Sequence, residues 1–494
     1  MSCIDSTGHC IKMGNQLSNK VVTATKWSLI TEIAAKLVSP ISTMILARLL
    51  VPDAFGVLVT ASMVISFAEI FTDAGFHKYL VQHEFQDDKE LYKSTAVAFW
   101  SNLILSLIIW GVICLFSPYI AHFVGNDGHE LVIAISCVCI PLGAFSSIQS
   151  ALFRRSLDFK TLFIVRSIGI FIPLVVTIPL ALVTHSYWSL IIGMIALNSY
   201  YAIILTLKSP WKPKWYYDVS LFKDMFSFTM WSMIEAITIW FTNYLDVFLV
   251  GTVLSTYYIG IYRTSITTVG QIMAVITSST GAVIFPTLSR LQNNEEEFNR
   301  VFFKFQKYVA LFVMPIGIGL FLYKDLVTDI LLGDQWKEAA YMIGWWGLTS
   351  AITIVLSYYC SEVYRAKGKP KYSVIAQIVH LAFLVPTVLI SVKYGFQCLC
   401  LSRSLVRLTL VGINLILLYS LTRITPISMI TNISHSCIAS IGMCLIYFVL
   451  PKSDDIIVQF IEILLCVLTY FGILLFWKTD REIIFDLPKK ILKK

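Results

Sequence analysis

The chain has 494 residues, of which 57% are hydrophobic and 14% charged, and its formal net charge is +8. Soluble domains have about 45–50% apolar and about 25% charged residues, so this composition, with a mean hydropathy of +0.75, excludes a soluble protein and predicts an all-α polytopic membrane protein. The basic residues stand between long apolar runs, which favours membrane topology over nucleic-acid binding as the reason for the positive charge.

Taken in order, the apolar runs predict about 14 transmembrane helices, because a span needs roughly 20 apolar residues. The predicted spans are 27–50, 54–77, 94–117, 130–152, 161–183, 187–207, 224–250, 256–286, 304–323, 339–362, 372–392, 397–421, 428–450 and 456–477. Connections on the side of the N-terminus hold about 28 Lys and Arg residues, and those on the other side about 5. Because positive residues concentrate on the cytoplasmic side, both termini are predicted to be cytoplasmic.

A weak internal repeat divides the chain. The corner Leu50–Gly56 returns at Leu254–Gly260, and both corners follow an odd-numbered span, so the two repeats have the same orientation in the membrane. We predict two parallel six-helix lobes plus two C-terminal helices. The predicted segments are a cytoplasmic N-terminal segment 1–26, an N-lobe 27–207, a cytoplasmic linker 208–223, a C-lobe 224–421, the last two spans within 422–477 and a basic cytoplasmic tail 478–494.

Cations inside the spans are the first functional signal. A charge at the centre of a span costs at least about 2.5–3.5 kcal/mol, so it usually faces a cavity or a partner. Lys36, Arg166 and Arg407 lie at depths where lipid would oppose a charge. Arg matches phosphate oxygens with a planar fork of donors. These three residues are therefore predicted to line a substrate cavity for an anionic headgroup. The alternative for each is a structural role, which for Arg166 means that its side chain reaches the inner membrane surface.

Acidic residues inside the spans pose two alternatives. Glu69 and Asp73 are one helical turn apart and share a helix face, so they either line a cavity or pair with Lys36 of the first span and lock the two helices together. Asp246 and Arg263 flank the second corner and are predicted to meet across it, which leaves the same two interpretations open. Two further candidates for ion coupling or pairing are Glu235 and His380.

Motifs for nucleotide and metal chemistry are absent. The sequence contains no G-x-x-x-x-G-K-[ST] loop, no G-x-G-x-x-G and no H-E-x-x-H, and its 11 cysteines lack zinc spacing. We expect no cofactor and no ATP hydrolysis, so energy comes from an ion gradient, of protons or sodium, or from downhill flow of the substrate. All connections between spans are short, which argues against an enzyme with an extramembrane catalytic module.

Several short motifs recur in a fixed order along the chain. They are Val21–Ser28, Leu46–Gly56 with Phe71–Phe76, Asn243–Gly251 with Ile259–Arg263, and Phe285–Gln292 with Leu332–Trp336. In this order and spacing they resemble bacterial polysaccharide exporters of the multidrug/oligosaccharidyl-lipid/polysaccharide flippase superfamily. The resemblance is to the branch with lipopolysaccharide, colanic acid and teichuronic acid exporters, and it covers nearly the whole chain. Arg48, Asp73, Asp246 and Arg263 occupy recurrent positions in these motifs.

The resemblance implies a 14-helix, two-lobed flippase of the bacterial inner membrane. Such a protein moves an undecaprenyl-pyrophosphate-linked oligosaccharide to the outer leaflet by alternating access, for surface polysaccharide biosynthesis. It also implies a cationic cavity, to which Arg48 and Arg263 are assigned as binding residues, with membrane lipid, glycosyltransferases and a glycan polymerase as partners. The alternatives are a multidrug or cation antiporter, a lipid-linked peptidoglycan precursor flippase of the same fold and, less favoured, a membrane glycan polymerase or ligase.

Overall fold

The computed structural model describes residues 38–73, 76–156, 158–369, 371–453 and 455–492 of the chain. Within these ranges every regular element is helical, which confirms the prediction of an all-α polytopic protein. Eleven helical segments of the described residues, some of which join consecutive helices, are long and apolar enough to cross a membrane, or 12 if a bent pair of helices near residue 433 counts as one span.

The first of two compact units comprises Met1–Gly260. The helices of this unit are α1 Val38–Leu49, α2 Pro52–Asp73, α3 Phe76–Gln82, α4 Asp88–Leu115, α5 Ser117–Phe123, α6 Glu130–Ser136, α7 Cys139–Arg155, α8 Phe159–Gly169, α9 Ile178–Thr184, α10 Trp188–Lys208 and α11 Val219–Gly251. A π-helical turn, Pro173–Thr177, lies between α8 and α9 within one membrane span.

The second unit comprises Ile261–Lys494. The helices are α12 Thr256–Arg290, α13 Glu295–Leu322, α14 Lys324–Leu331, α15 Ala339–Thr353, α16 Cys360–Ala366, α17 Lys371–Ser391, α18 Phe396–Thr422, α19 Pro426–Asn432, α20 Ser434–Val449, α21 Ile456–Leu474 and α22 Lys478–Leu492. The first of them, α12, begins at Thr256 in the first unit. A π-helical turn, Ile354–Tyr358, lies between α15 and α16.

Twelve of the predicted spans coincide with candidate membrane helices, the bent pair α19–α20 standing for one of them. The run predicted at 27–50 is described from residue 38 onward, as α1. The run predicted at 224–250 lies on α11, which packs against α2, α3 and α4 in the first unit. The total of 14 spans and the two six-helix lobes therefore stay predictions.

Side-chain caps start several helices well before their apolar runs. Asp87 accepts a hydrogen bond of 2.7 Å from the backbone N–H of Glu90, so α4 begins at Asp88 rather than at the predicted residue 94. Asn294 accepts from the N–H of Glu297 at 3.1 Å, and α13 begins at once after it. The first turns of these helices are polar, so a prediction based on the length of apolar runs does not include them.

The described part of the predicted linker is tied to the first unit. Trp211 is 6% exposed and joins a buried cluster that includes Phe99 and Ile148. The indole N–H of Trp100 donates to the backbone oxygen of Lys214 at 3.0 Å. This segment thus packs along the first half of α4 and holds the start of α11 next to the core of the first unit.

Candidate functional site

The structure does not describe the side chains of three of the ten predicted site residues. Lys36 lies outside the described residues, and so do the side chains of Asp73 and Glu235. Their roles stay predictions. The predicted pairing of Lys36 with the carboxylates of the second span also falls outside the residues that the structure describes.

Residues near the two corners occupy different environments. Arg48 is exposed near the end of α1. Asp246 on α11 is 3% exposed, and its Oδ1 accepts a hydrogen bond of 2.8 Å from the N–H of Val247. Arg263 is half-buried on α12. Asp246 belongs to the first unit and Arg263 to the second, so their predicted meeting stays a prediction.

His380 is a buried residue of α17, and its ring nitrogen Nδ1 lies 3.0 Å from the hydroxyl oxygen of Thr409 on α18. The Thr409 hydroxyl donates its proton to the backbone oxygen of Val406 at 2.7 Å. Its oxygen therefore accepts from His380, which places a proton on Nδ1. This bond couples the imidazole to the helix that carries Arg407.

The first unit contains an open polar cavity with a volume of about 380 Å³. This volume falls within the roughly 300–1,000 Å³ of small-ligand sites. Two predicted site residues, Glu69 on α2 and Arg166 on α8, line it together with His77 and Arg154. A Cβ added to Gly143 would lie 3.5 Å from Oε1 of Glu69, so α7 passes close to this carboxylate. We call this space the first-unit cavity.

Neutral side chains form most of the remaining polar lining. Asn102 is fully buried; its Oδ1 accepts from the Ser106 hydroxyl at 3.3 Å, and its Nδ2 has no hydrogen-bond partner among the described residues. The amide of Asn198 donates to the backbone oxygen of Met194 at 3.0 Å. The neutral polar lining residues are Thr72, Asn102, Ser146, Ser147, Ser150 and Asn198.

Arg166 is an exposed cation at the first-unit cavity. Its guanidinium forms no hydrogen bond and no ion pair with the residues that the structure describes, whereas its backbone oxygen accepts from the N–H of Ile170. It lies seven residues after Phe159, the first residue of α8, which is about 10 Å along the helix. Its donors are therefore available to a ligand that enters from the end of the unit predicted to be cytoplasmic.

The second unit places two arginines over one tryptophan. The guanidinium carbon of Arg407 lies 3.9 Å from the ring centroid of Trp346, and that of Arg403 lies 4.9 Å from it. Nη1 of Arg407 donates to the hydroxyl of Ser350 at 2.7 Å. Cation–π contacts contribute about 0.5–2 kcal/mol each, more where water is excluded. We call Trp346, Ser350, Arg403 and Arg407 the Trp346 cluster.

A buried polar network continues from this cluster along the same helices. The Nδ2 of Asn414 donates to the hydroxyl of Ser357 at 2.7 Å, and the hydroxyl of Tyr364 donates to the oxygens of Asn414 at 3.0–3.1 Å. Ser357 lies in the π-helical turn Ile354–Tyr358. Such turns widen a helix and often occur at functional sites. The network fixes α18 against the span that carries Trp346 and Ser350.

The neutral lining of the first-unit cavity was missed by sequence reasoning. Ser146, Ser147 and Ser150 stand within one apolar span, at spacings that place two of them on one helix face. A search for hydroxyl and amide clusters inside spans would have found them, whereas the search for charges did not. Glu462 was also missed; it is 7% exposed on α21.

The described part of the chain holds no group of three or more His, Cys, Asp and Glu side chains placed to bind a metal ion. The nine described cysteines are all free thiols.

Comparisons with known proteins identify the family. The model for the family described as polysaccharide biosynthesis protein matches residues 45–341. The chain is 21% identical over 331 residues to the succinoglycan biosynthesis transport protein ExoT of Rhizobium meliloti (strain 1021), covering 66% of this chain and 65% of ExoT. It is 20% identical over 358 residues to the teichuronic acid biosynthesis protein TuaB of Bacillus subtilis (strain 168), covering 72% of each chain.

Among solved structures, the chain is similar to lipid II flippase MurJ in an inward closed conformation. The TM-score is 0.72 at 15% sequence identity, over 93% of this chain and 99% of that one. At this identity the likeness shows the fold. The family model matches more than half of the sequence, so the chain belongs to the polysaccharide biosynthesis protein family.

Proposed function

We propose that this protein is a flippase that moves a lipid-linked oligosaccharide repeat unit from the inner to the outer leaflet of a bacterial cytoplasmic membrane. The carrier lipid would be undecaprenyl pyrophosphate, the transport cycle alternating access, and the product a surface polysaccharide. The family and the names of ExoT and TuaB support this substrate class. The observation that carries the proposal is the guanidinium of Arg407 in the Trp346 cluster.

Arg407 lies near the middle of α18, a candidate membrane span. A guanidinium offers five N–H donors, and among the described residues it uses one of them on Ser350. Arg403 stands one turn away and adds a second positive charge against the same indole. A charge inside a bilayer is costly unless it faces a cavity or a counter-charge. The pyrophosphate group of the carrier lipid would supply a counter-charge to Arg407 and accept bidentate hydrogen bonds from it.

The first-unit cavity supports the same function from the other unit. It is open, polar and large enough for part of a glycan. A cation antiporter of this fold would be expected to line its binding site with a surplus of carboxylates. The described lining instead has Arg154 and Arg166 against one carboxylate, Glu69. This balance favours an anionic substrate over a cationic drug.

The remaining assignments follow from this function. Glycosyltransferases that build the repeat unit and a polymerase that joins the units would act before and after transport. The excess of positive residues on one side of the predicted spans supports a cytoplasmic position for both termini. Proton or sodium coupling would use intramembrane acids such as Glu69 or the imidazole of His380.

The test uses Arg407→Gln and Arg407→Lys in a strain that lacks its own exporter and carries this chain. We expect Arg407→Gln to lower surface glycan about tenfold or more at unchanged protein level, with lipid-linked oligosaccharide accumulating in the inner leaflet. Arg423→Gln is the matched control, because Arg423 is exposed immediately after the same helix. Normal surface glycan with Arg407→Gln, or accumulation in the outer leaflet, contradicts the proposal.

A further inference from the structure

We propose that the first-unit cavity binds a sugar of the lipid-linked glycan that carries a carboxylate, and that Arg166 pairs with this carboxylate. This inference rests on the proposed function and names the kind of substrate that the flippase accepts. It concerns the first unit alone and is argued from the composition of the cavity wall, the availability of Arg166 and the buried amide of Asn102.

The neutral part of the cavity wall matches sugar hydroxyls. Each Ser or Thr hydroxyl both donates and accepts hydrogen bonds, and each Asn amide carries both donors and an acceptor. Six such side chains line the first-unit cavity. A pyrophosphate group accepts hydrogen bonds but cannot donate when ionised, so it would leave the acceptors of such a wall unused. A sugar ring, whose hydroxyls do both, satisfies the wall.

Glu69 sharpens this choice of ligand. Its carboxylate accepts hydrogen bonds when ionised, and it lies in the wall of the same cavity as the serines. Sugar hydroxyls can donate to it. The full negative charge of a pyrophosphate group would be repelled by it more strongly than the single charge of a sugar carboxylate. The cavity therefore suits a sugar with one acidic group better than the pyrophosphate end of the substrate.

Arg166 supplies the group that distinguishes an acidic sugar from a neutral one. It is exposed at the first-unit cavity, and its guanidinium forms no hydrogen bond or ion pair with any residue that the structure describes. The planar guanidinium can form two parallel hydrogen bonds with a carboxylate, which fixes orientation as well as charge. A neutral sugar would leave this fork facing water.

The amide of Asn102 is a second, independent indication of a ligand. The residue is fully buried and lines the first-unit cavity, yet its Nδ2 has no partner in the described chain. Its Oδ1 is already occupied by Ser106. Buried donors are rarely left unpaired, because each costs about 1–3 kcal/mol. A sugar oxygen in the cavity would satisfy this donor.

The experiment compares two glycans that differ in one group. A strain without its own exporter carries this chain and makes either a repeat unit with glucuronic acid or the same unit with glucose in its place. With Arg166→Gln we expect export of the acidic glycan to fall about tenfold or more, and export of the neutral glycan to stay within about twofold. Arg166→Lys should fall in between, since it keeps the charge and loses the fork.

Lys160→Gln is the matched control, because Lys160 is an exposed cation on the same helix two turns before Arg166. It should change neither export. In a second arm, purified protein in detergent is titrated with glucuronic acid, glucose and inorganic pyrophosphate. Arg166→Gln should weaken binding of glucuronic acid and leave that of the other two unchanged.

Two results would overturn the inference. In the first, Arg166→Gln lowers export of both glycans equally; in the second, it weakens binding of pyrophosphate and not of glucuronic acid, which assigns the site to the pyrophosphate. Failure of the proposed function is a separate outcome, because the unaltered protein would then export neither glycan.

Discussion

Gly56 and Gly260 allow the backbones of two helices to touch at the start of α2 and of α12. A Cβ added to Gly56 would lie 1.9 Å from the backbone oxygen of Thr256, and one added to Gly260 would lie 2.0 Å from that of Pro52. Real Cβ atoms do not approach backbone so closely. Glycine at both positions is therefore a packing requirement, as in other close helix crossings within membranes.

Gly56→Ala is expected to destabilise the protein, because the new methyl group meets backbone that cannot rotate away. Overpacking typically costs about 1–3 kcal/mol, and a contact with backbone should lie at the upper end of that range. The measurement is the midpoint of thermal unfolding of the purified protein in detergent. Gly260→Ala should have a similar effect.

Gly270→Ala is the control for this prediction. Gly270 lies on the same helix as Gly260, and a Cβ there would meet nothing within 4 Å. The substitution should leave the unfolding midpoint unchanged or raise it slightly, since alanine favours helix more than glycine does. Equal effects of Gly56→Ala and Gly270→Ala would show that the crossing tolerates a side chain.

The sequence repeat led to these corners but did not reveal their contact. Leu50–Gly56 and Leu254–Gly260 were recognised as similar segments at the start of two repeats. Similarity between segments carries no information about distance between them. The structure adds that the two matching glycines stand at one crossing, inside the first unit.

Trp346 is predicted to position Arg407 for substrate, in keeping with the proposed function. Its ring lies 3.9 Å from the Arg407 guanidinium and is 7% exposed. Trp346→Leu removes the aromatic face and should reduce translocation of lipid-linked oligosaccharide several-fold, whereas Trp346→Phe should retain more activity because it keeps a weaker aromatic face. Transport into the outer leaflet of proteoliposomes, at equal protein content, measures the effect.

Trp345→Leu provides the comparison for Trp346. Trp345 is the next residue of α15, but its ring packs edge-on against Phe321 at 5.0 Å, and no cation–π contact to it is found in the described chain. Transport should stay within about twofold of the unaltered protein, because no cation depends on this ring. If both variants lose transport alike, tryptophan packing in α15 explains the loss and positioning of Arg407 does not.

Helices were predictable where hydrophobicity defines them and less so where caps do. Twelve spans were located from the sequence because a membrane span needs a long run of apolar residues, which is visible in the sequence itself. The start of α4 was missed because Asp87, a single polar side chain, begins the helix ahead of the apolar run. The bend of 55° between α19 and α20 was also missed, since hydropathy carries no information about the direction of a helix axis.

The site was predicted in part, because charges inside spans stand out and neutral groups do not. Arg166 was chosen from its depth and Glu69 as an acidic residue inside a span, and the structure places both at one cavity. Arg407 was chosen in the same way, but its partners Trp346 and Ser350 come from another helix. Partners across helices depend on helix rotation, which the sequence of one chain does not report.

Arg155 is predicted to stabilise the first unit by closing the end of α3. Its Nη1 donates to the backbone oxygens of Leu80 and His83 at 3.0 and 2.6 Å, and its guanidinium lies 4.6 Å from the ring of Phe85. Arg155→Gln should lower the free energy of unfolding by about 1–3 kcal/mol, because two carbonyl groups lose a charged donor. Arg155→Lys should recover little, since a single ammonium lacks the planar fork. An unchanged unfolding midpoint for Arg155→Gln would contradict this role.

Asp480 is predicted to anchor the C-terminal helix α22 to the spans of the second unit. It is 2% exposed, its Oδ1 lies 2.7 Å from Nζ of Lys307, and its Oδ2 lies 2.5 Å from Nδ1 of His435. The His435 ring stacks on Trp477 at 4.2 Å, so α13, α20 and the start of α22 meet at this carboxylate. Asp480→Asn takes the counter-charge away from the half-buried Lys307, which should lower the free energy of unfolding by about 1.5–3 kcal/mol.

A double-mutant cycle separates this ion pair from general packing. Asp480→Asn and Lys307→Met should each lower the free energy of unfolding, whereas the double variant should lose less than the sum, with a coupling energy of about 1–3 kcal/mol. Limited proteolysis of detergent-solubilised protein should cut α22 sooner in either single variant, because its anchor is gone. Glu482→Gln on the exposed side of α22 should change neither measurement. If the changes in the free energy of unfolding of the two single variants add up to that of the double variant, Asp480 and Lys307 stabilise the helix independently. The prediction of a coupled ion pair would then be wrong.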